Sequence, residues 1–355
     1  MQSLELMKTS DNFAKTQDIP SELKYGSVDG YPVPMISIMI PTYQRPAFLK
    51  IALESALQQT KPTCRYEVVV IDNEYSDGVS ETEALIRQYQ DDRLLYYQNK
   101  QNLGLVGNWN RCITLARGEW VAYLHDDDVL MPDYLNKILQ LLSKKRDIDG
   151  IMTLYHELHQ GENADSQLPR AKSVKSGLYD RLSRNKLMPL RQVDSVMKIG
   201  NVYGPPTCGS IFRRACLVSS GGFNDTLYPS FDWFYLYAYS KRFRLYRSME
   251  RLAYYRVFVN VSLKDETKAA FLRHRIQFRE DVARDTRVGA FLKRFFVNEQ
   301  NQALLKEEYT DHVGKIATDY FNPNELKERR FRAALYHLLT TGYWRLKSLA
   351  HLVMP

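Results

Sequence analysis

The sequence predicts an α/β fold with a mostly parallel central sheet. Predominantly apolar runs at 35–40, 67–71 and 120–124 are typical of strands that are buried on both faces, as in parallel sheets. Segments with apolar residues at helical spacing alternate with these runs, which indicates repeated strand–helix–strand units. With 44% apolar residues among 355, the chain can also bury a large core.

The elements of the first half follow in a regular order. The first strand is expected after Pro34, because proline cannot donate to a strand ladder, and the first helix at Pro46, where a first turn tolerates proline. Ser80 and Glu83 have the spacing of a capping box. The other predicted elements are a strand at 94–98 and helices at 47–59, 80–90, 107–116 and 132–145. This order is that of a Rossmann-like nucleotide-binding region, although the GxGxxG dinucleotide motif is absent.

The second half of the chain gives weaker signals. Residues 157–200 are polar and irregular, and we interpret them as an insertion or loop. Extended or helical patterns resume at 207–212, 231–239 and 243–259. From 263 onward the pattern indicates helices that mix basic and aromatic residues. The predicted domains are a lead-in (1–34), an α/β domain (35–262, with halves 35–156 and 157–262) and a helical C-terminal extension (263–355).

The net charge indicates which kinds of molecule the protein could bind, and the cysteine pattern indicates the cellular compartment. The net charge of +8 favours an anionic partner, such as nucleotide phosphates, acidic lipid head groups or nucleic acid. The cysteines have no metal-binding spacing and are interpreted as free thiols in a reducing compartment; they are Cys64, Cys112, Cys208 and Cys216. No apolar leader and no run of 18 apolar residues is present, so we expect a cytoplasmic protein without a membrane span.

The strongest chemical signal is the sequence HDDD at 125–128, directly after the predicted strand 120–124. Three adjacent carboxylates repel one another, and a divalent cation relieves that repulsion. Oxygen ligands suit Mg²⁺ or Mn²⁺. In open α/β sheets, ligands bind at the carboxyl ends of the strands, which is where this motif falls. The alternative is a solvated acidic turn ahead of the helix at Pro132.

Taken in order and spacing, the motifs resemble those of family 2 glycosyltransferases, whose fold is called GT-A. The resemblance covers roughly 35–262. Its pieces are SIMIPTYQR at 37–45, VVVIDNEYSD at 68–77, NLG at 102–104, NWN at 108–110, ARGEW at 116–120, LHDDD at 124–128, GN at 200–201, GPP at 204–206, GSIFRR at 209–214, GGF at 221–223 and SFDW at 230–233.

The resemblance implies a set of donor-binding residues. Asp72 would accept a hydrogen bond from a uracil-like base edge; the alternative is a turn residue after a strand. Asp127 would be the first metal ligand, with Asp126 or Asp128 helping through water. The implied nucleotide-sugar-binding residues are Pro41, Thr42, Tyr43, Arg45, Asp72, Asn102, Gly104, Asn110 and Asp126, and the implied metal ligands are Asp127 and Asp128.

Two positions depart from the family pattern, and a third carries the implied catalytic base. His125 stands where the family usually has the first Asp of its metal motif, and we interpret it as structural. Phe258 stands where many relatives carry a His, which implies either a looser metal site or replacement of that His by Arg256. Asp232 is the implied catalytic base, because its aromatic neighbours would desolvate it and raise its pKa. The alternative for Asp232 is a helix N-cap.

The resulting functional hypothesis is a hexosyl- or N-acetylhexosaminyltransferase. It would move the sugar from a nucleotide-sugar, expected to be a UDP-sugar, to a saccharide hydroxyl with inversion, using Mn²⁺ or Mg²⁺, in bacterial surface polysaccharide or glycan synthesis. A lipid-linked acceptor is left open, with the C-terminal region as a contact to an anionic membrane. The alternative for that region is that its apolar face packs on the catalytic domain or on a second subunit of a homo-oligomer. The alternatives are a nucleotidyltransferase that makes nucleotide-sugars and a non-catalytic glycan-binding module. Nucleic-acid binding is not favoured, because no recognition motif is present.

Overall fold

The computed structural model describes residues 11–159, 186–190 and 207–257, together with individual residues between 267 and 281 and between 338 and 347. Its strands are β1 Ser21–Tyr25, β2 Ile36–Thr42, β3 Tyr66–Asp72, β4 Leu94–Asn99, β5 Trp120–Tyr123, β6 Val129–Leu130, β7 Gly150–His159, β8 Leu187–Pro189, β9 Ile211–Arg213 and β10 Leu245–Val257. Its α-helices are α1 Pro46–Leu57, α2 Glu81–Ile86, α3 Gly104–Leu115, α4 Tyr134–Leu142, α5 Arg214–Ser219 and α6 Phe231–Arg242.

Within the described residues, the ten strands form one sheet in the order β1-β4-β3-β2-β5-β9-β7-β10-β6, with β8 also paired to β10. The four strands β4, β3, β2 and β5 are parallel to one another, as the sequence predicts. The flanking strands β1 and β9 are antiparallel to their neighbours, and β7 and β10 are parallel to each other. The α/β class is therefore confirmed, and the sheet as a whole is mixed.

The buried strands and helices of the first half lie where the apolar patterns place them. Both β2 and β3 are buried along their whole length. Pro46 is at the start of α1, and the Ser80 hydroxyl accepts a hydrogen bond from the backbone N–H of Glu83 at the start of α2. Helix α3 begins at Gly104, one turn earlier than the predicted 107.

Two apolar layers cover the two faces of the sheet. Along β2, Ile38 belongs to one cluster and Met39 to the other, as alternation along a strand requires. The first cluster includes side chains from α1, α2 and α4, and the second includes side chains from α3, α5 and α6. The four cysteines are free, as expected. Helices on both faces leave the strand ends as the place for a site.

The residues before β2 contact both halves of the structure. Strand β1, which the sequence did not predict, pairs with β4. The guanidinium of Arg111 on α3 donates to the carbonyls of Thr16 and Ile19, at 2.7 and 2.6 Å. The backbone N–H of Asn12 donates to the carbonyl of Gly221 at 2.9 Å. Residues 11–25 thereby link the edge of the sheet to the turn ahead of α6.

The described residues of the C-terminal region that have ring contacts pack against α6. Phe278 is buried and lies edge-on to Phe234 and Tyr237, with ring centroids 5.1 and 5.6 Å apart. Phe271 contacts Trp233 at 5.5 Å. These positions are helical, as predicted for 263–355, most of which lies outside the described residues. Within the described part of the chain, no helix combines the length and apolarity needed to cross a bilayer.

Candidate active site

The HDDD motif lies at the carboxyl edge of the parallel strands. His125, Asp126, Asp127 and Asp128, which we call the acidic cluster, fall between the end of β5 and the start of β6. Strand β2 runs parallel to β5, so the residues that follow β2 reach the same edge. The acidic cluster is bound to the rest of the edge by hydrogen bonds and ion pairs, so it is not the solvated acidic turn that was the alternative.

Asp126 is held by two residues that the sequence assigned to the donor site. The hydroxyl of Thr42 donates to its Oδ2 at 2.9 Å, and a guanidinium nitrogen of Arg45 lies 3.0 Å from its Oδ1. Burial, with the charge of Asp127, raises the pKa of Asp126 to about 6, although Arg45 and Thr42 act in the opposite direction. Asp126 therefore joins the end of β2 to the acidic cluster.

Asp127 and Asp128 form the part of the acidic cluster that fits a cation. One oxygen of Asp128 accepts from the backbone N–H of Arg256 at 2.8 Å. Its other oxygen, Oδ2, is buried without a hydrogen bond of good geometry and lies 2.9 Å from Nδ1 of His125. One potential ligand atom each from His125, Asp127 and Asp128 lies within 4.8 Å of the others. Carboxylate oxygens and an imidazole nitrogen at this spacing fit a divalent cation such as Mn²⁺.

His125 was interpreted from the sequence as structural, but in the acidic cluster it contacts both Asp128 and Thr207. Its other nitrogen, Nε2, lies 3.2 Å from the hydroxyl of Thr207. Burial alone would lower the pKa of His125, but the carboxylates of Asp128, Asp127 and Asp126 outweigh it and raise the pKa. The imidazole is therefore either a third ligand atom or the group that orients Asp128.

Two guanidinium groups lie beside the acidic cluster with an aromatic ring between them. The guanidinium of Arg45 is 5.3 Å from the ring centroid of Phe48, and that of Arg256 is 5.1 Å from the same ring. Arg256 also donates from Nε to the backbone carbonyl of Asp127 at 2.8 Å. This arrangement keeps two positive charges beside the acidic cluster. Phe258 lies outside the described residues.

Asp72 is at the end of β3, as predicted, but it is completely buried. Its oxygens accept from the backbone N–H of Glu74 and from the hydroxyl of Tyr96, both at 2.9 Å. Burial raises the pKa of Asp72 to about 6, against the lowering effect of these hydrogen bonds. The observed contacts are those of a turn-forming residue, and contact with a base stays a prediction.

The other residues predicted to follow β2 differ in exposure. Pro41 is buried within β2 and pairs with Ile71 of β3. Tyr43 is 44% exposed and directly follows the strand. Gln44 has a positive φ of 53°, which turns the chain toward Arg45. Tyr43 is therefore accessible for stacking on a nucleoside, whereas Pro41 shapes the end of the strand.

Asn102 and Gly104 belong to an asparagine network that the sequence did not reveal. The side-chain oxygen of Asn102 accepts from the amide of Asn73 and from the backbone N–H of Gly104, both at 2.8 Å. Asn99 donates to both Asn73 and Asn108, at 3.1 and 2.9 Å. Gly104 has φ +70°, a conformation that favours glycine. The network fixes the loop between β4 and α3 at the carboxyl edge.

Asn110 does not join this network. Its amide nitrogen donates to the carbonyl of Phe223 at 2.8 Å, and its oxygen accepts from the N–H of the same residue at 2.7 Å. The side chain is buried, and a Cβ on Gly222 would lie 2.6 Å from its oxygen. Asn110 therefore ties α3 to the turn ahead of α6, and the predicted donor contact has no support in this arrangement.

Asp232 is in the first turn of α6 and is partly buried. Its Oδ1 accepts from the backbone N–H of Trp233 at 3.0 Å, and the N-cap position itself is Ser230. Burial raises the pKa of Asp232 to about 6, opposed by this hydrogen bond and by the charge of His125. Asp232 is therefore not the N-cap, and its pKa suits a base near neutral pH.

Tyr255 is a site residue that sequence reasoning missed. Burial raises the pKa of its hydroxyl, and the carboxylates of Asp128, Asp127 and Asp232 add to the effect. Tyr255 directly precedes Arg256, whose backbone N–H donates to Asp128, so it lies beside the acidic cluster. Its ring contacts that of Tyr155 at 5.2 Å.

Comparison with known sequences identifies relatives of this chain. The sequence model of glycosyl transferase family 2 matches residues 37–217. An uncharacterized glycosyltransferase of Methanocaldococcus jannaschii is 30% identical over 37% of this chain and 44% of its own length. The GalNAc(5)-diNAcBac-PP-undecaprenol beta-1,3-glucosyltransferase of Campylobacter jejuni is 32% identical over 30% of this chain and 34% of its own length. The chain thus spans less than half the length of each of these two relatives.

Solved structures share the fold over more of the chain. TarS of S. aureus in complex with UDP-GlcNAc superposes with a TM-score of 0.53 at 15% identity, covering 85% of this chain and 80% of that one. The mannosyltransferase PcManGT of Pyrobaculum calidifontis in complex with GDP-Man and Mn²⁺ gives a TM-score of 0.50 at 16% identity, covering 96% and 92%. At these identities the likeness establishes the fold.

Proposed function

Because the chain belongs to glycosyl transferase family 2 and is therefore a glycosyltransferase, we propose that it moves a hexosyl or N-acetylhexosaminyl group from a UDP-sugar to a saccharide hydroxyl, with inversion. The observation that carries this proposal is that ligand atoms of His125, Asp127 and Asp128 lie within 4.8 Å of one another, while one ring, that of Trp109, contacts both His125 and Phe231, the residue before Asp232. A donor diphosphate at the acidic cluster would bring its anomeric carbon toward the base.

The choice of UDP rests on TarS, which binds UDP-GlcNAc, whereas PcManGT binds GDP-Man. In this chain, exposed Tyr43 would stack on the base, and Thr42 and Arg45 would orient the diphosphate side through Asp126. Asn102 and Gly104 would form the wall behind the donor. Asp72 would contact the base edge only if one of its oxygens accepts an additional hydrogen bond.

The residues that would hold a cation are Asp127 and Asp128, with His125 as a third donor. A bound Mn²⁺ or Mg²⁺ would supply positive charge against the leaving diphosphate. Arg45 and Arg256 add fixed positive charge at the same place without any cation. The mixed nitrogen and oxygen donor set favours Mn²⁺ over Mg²⁺.

Asp232 would remove the proton from the acceptor hydroxyl as that oxygen attacks the anomeric carbon. With its pKa raised to about 6, the carboxylate is ionised at pH 7 and is still basic enough to take a proton in the transition state. Attack from the face opposite the diphosphate inverts the anomeric configuration.

The C. jejuni relative is named for a substrate on an undecaprenol carrier, which supports a lipid-linked acceptor for this chain as well. Such an acceptor would place the protein in the cytoplasm at the inner membrane face, where bacterial surface glycans are made. Leu338 and Leu346 of the C-terminal region, each 68% exposed, would face that surface, whereas the amine of Lys347 donates to the carbonyl of Pro189 at 3.0 Å. Tyr343 is described and is half-buried, and the other basic and aromatic residues proposed for membrane contact lie outside the described part.

The direct test is a panel of nucleotide-sugars with the release of nucleoside diphosphate as the readout. UDP-linked hexoses and N-acetylhexosamines are compared with GDP-mannose, in Mn²⁺ and in EDTA, with and without undecaprenyl-linked saccharides. We expect acceptor-dependent UDP release from one UDP-sugar in Mn²⁺. Turnover of GDP-mannose alone would contradict the donor assignment, and full activity in EDTA would contradict the metal.

A further inference from the structure

We propose that Trp109 is a positioning residue that fixes the separation between the acidic cluster and Asp232. Trp109 is on α3 and is 9% exposed, so its indole is almost fully enclosed. This inference rests on the proposed roles of the acidic cluster and of Asp232. Trp109 is the middle residue of the NWN motif, for which the resemblance implied no role of its own.

The indole touches both sides of the proposed reaction centre. On the metal side, its ring centroid is 5.2 Å from that of His125, whose Nδ1 lies 2.9 Å from Asp128. On the base side, it is 5.2 Å from the ring of Phe231, which immediately precedes Asp232. One rigid side chain therefore spans the gap between the two groups.

The indole is itself held in place from several directions. Tyr123 stacks on it at 5.1 Å with an interplanar angle of 18°, and Phe223 meets it edge-on at 5.5 Å. The flanking residues are anchored to different parts of the fold: Asn108 donates to the carbonyl of Ile71 at 3.1 Å, and Asn110 binds the backbone of Phe223. Movement of Trp109 would thus require both α3 and the turn ahead of α6 to move.

Such rigidity matters because transfer depends on the distance between the acceptor oxygen and the anomeric carbon. An error of about 1 Å in the placement of reacting groups costs on the order of 10²-fold in rate. A smaller side chain at position 109 would let α6 and the end of β5 settle closer together. Donor binding would be preserved, because Thr42, Arg45 and Asp127 are outside the ring contacts of Trp109, and because His125, which is one of those ring contacts, keeps its contacts with Asp128 and Thr207.

The test compares Trp109→Leu with a control, Trp120→Leu. Trp120 is a buried tryptophan at the amino end of β5, where its ring contacts the guanidinium of Arg213. Turnover is expressed per UDP-binding site, so that unfolded molecules do not count. We expect kcat of Trp109→Leu to fall about 10²-fold with donor KM unchanged within about threefold, and kcat of Trp120→Leu to stay within about threefold. Trp109→Phe keeps part of the contact surface and should lose about tenfold.

Equal losses in the two Leu variants, or an unchanged kcat in Trp109→Leu, would overturn the positioning role. If Trp109→Leu does not fold, Trp109→Phe decides alone, and an unchanged kcat in that variant overturns the proposal. Asp232→Asn is measured in parallel. If Asp232→Asn is inactive and Trp109→Leu is fully active, only the positioning role of Trp109 is contradicted. If Asp232→Asn is active, both the assignment of Asp232 as the base and the positioning role of Trp109 are contradicted.

Discussion

A guanidinium nitrogen of Arg45 lies 3.1 Å from Oδ2 of Asp127, the residue proposed as the first metal ligand. The same guanidinium reaches Asp126, so one cation at the start of α1 pairs with two adjacent carboxylates. This ion pair reduces the electrostatic repulsion between the carboxylates of Asp126 and Asp127. It also leaves a half-exposed positive charge where the donor diphosphate would bind.

We predict that Arg45→Gln weakens UDP binding about tenfold, the order of one charge-assisted hydrogen bond at a partly exposed site. Isothermal titration with UDP in Mn²⁺ measures the change. Lys50→Gln is the matched control, because Lys50 is exposed one turn further along α1. Equal effects of the two variants would mean that only overall charge matters.

The pH dependence of transfer should report Asp232. Because the base must be ionised and its pKa is raised to about 6, kcat/KM should rise with pH through about 6 and level off above it. Asp232→Asn should lower kcat by about 10²–10⁴-fold and remove this limb. Asp225→Asn changes an exposed carboxylate in the preceding turn and should behave like the parent. If kcat/KM of Asp232→Asn still rises with pH through about 6, the titrating group is not Asp232.

Folding stability should depend on pH in the direction opposite to that of most proteins near neutrality. Burial raises the pKa of Asp72, Asp126 and Asp232 to about 6, so the folded chain holds these protons at a pH where the unfolded chain, with carboxyl pKa values near 4, has released them. Lowering the pH from 7.5 to 5.5 should therefore increase the free energy of unfolding, by about 1–3 kcal/mol in EDTA.

The raised pKa of His125 acts in the same direction, since the stability from its protonated form is lost as pH rises through that pKa. Asp91, whose pKa is lowered by its hydrogen bonds to Arg93 against the effect of burial, opposes the trend only in more acidic solution. Urea unfolding at the two pH values measures the difference. A chain less stable at pH 5.5 would show that these carboxyl groups are ionised and better solvated than the structure indicates.

Asn110→Ala separates an anchoring role from a donor contact. Removing the amide leaves the buried N–H and C=O of Phe223 without their partner, which should lower the free energy of unfolding by about 2–4 kcal/mol. UDP affinity of the folded protein should stay within about threefold. Lost UDP affinity with unchanged stability would instead restore Asn110 to the donor wall.

Much of the first half was predictable because each fully buried strand leaves a continuous apolar run, as in β2 and β3. Strand β1 left no such run, since it is an edge strand whose side chains are mostly half-buried. Strand β7 is buried for its first four residues and then carries polar His156 and Glu157, so the pattern breaks midway. Strand β1 pairs with β4, and β7 pairs with β9 and β10. These partners are distant in the sequence, so local patterns do not reveal the pairings.

The location of the site followed from the sequence more readily than the roles within it. Carboxylates after a buried strand must lie at the carboxyl edge, which places Asp126 and Asp127 correctly. The contacts of His125 and Asn110 were not accessible, because their partners Thr207 and Phe223 lie 82 and 113 residues further along the chain. Local sequence cannot tell an anchoring amide from a ligand-binding one when the partner is a distant backbone group.

The central claim is that the acidic cluster binds the diphosphate of a uridine nucleotide together with a divalent cation. Calorimetry of UDP binding, with Mn²⁺ and with EDTA, tests it most directly and needs no acceptor. The variants are Asp127→Ala and, as a control, Asp133→Ala, whose exposed carboxylate precedes α4 and does not cap it. The account predicts Mn²⁺-dependent UDP binding that is retained in Asp133→Ala and lost in Asp127→Ala. UDP binding of equal strength in EDTA, or in Asp127→Ala, would contradict it.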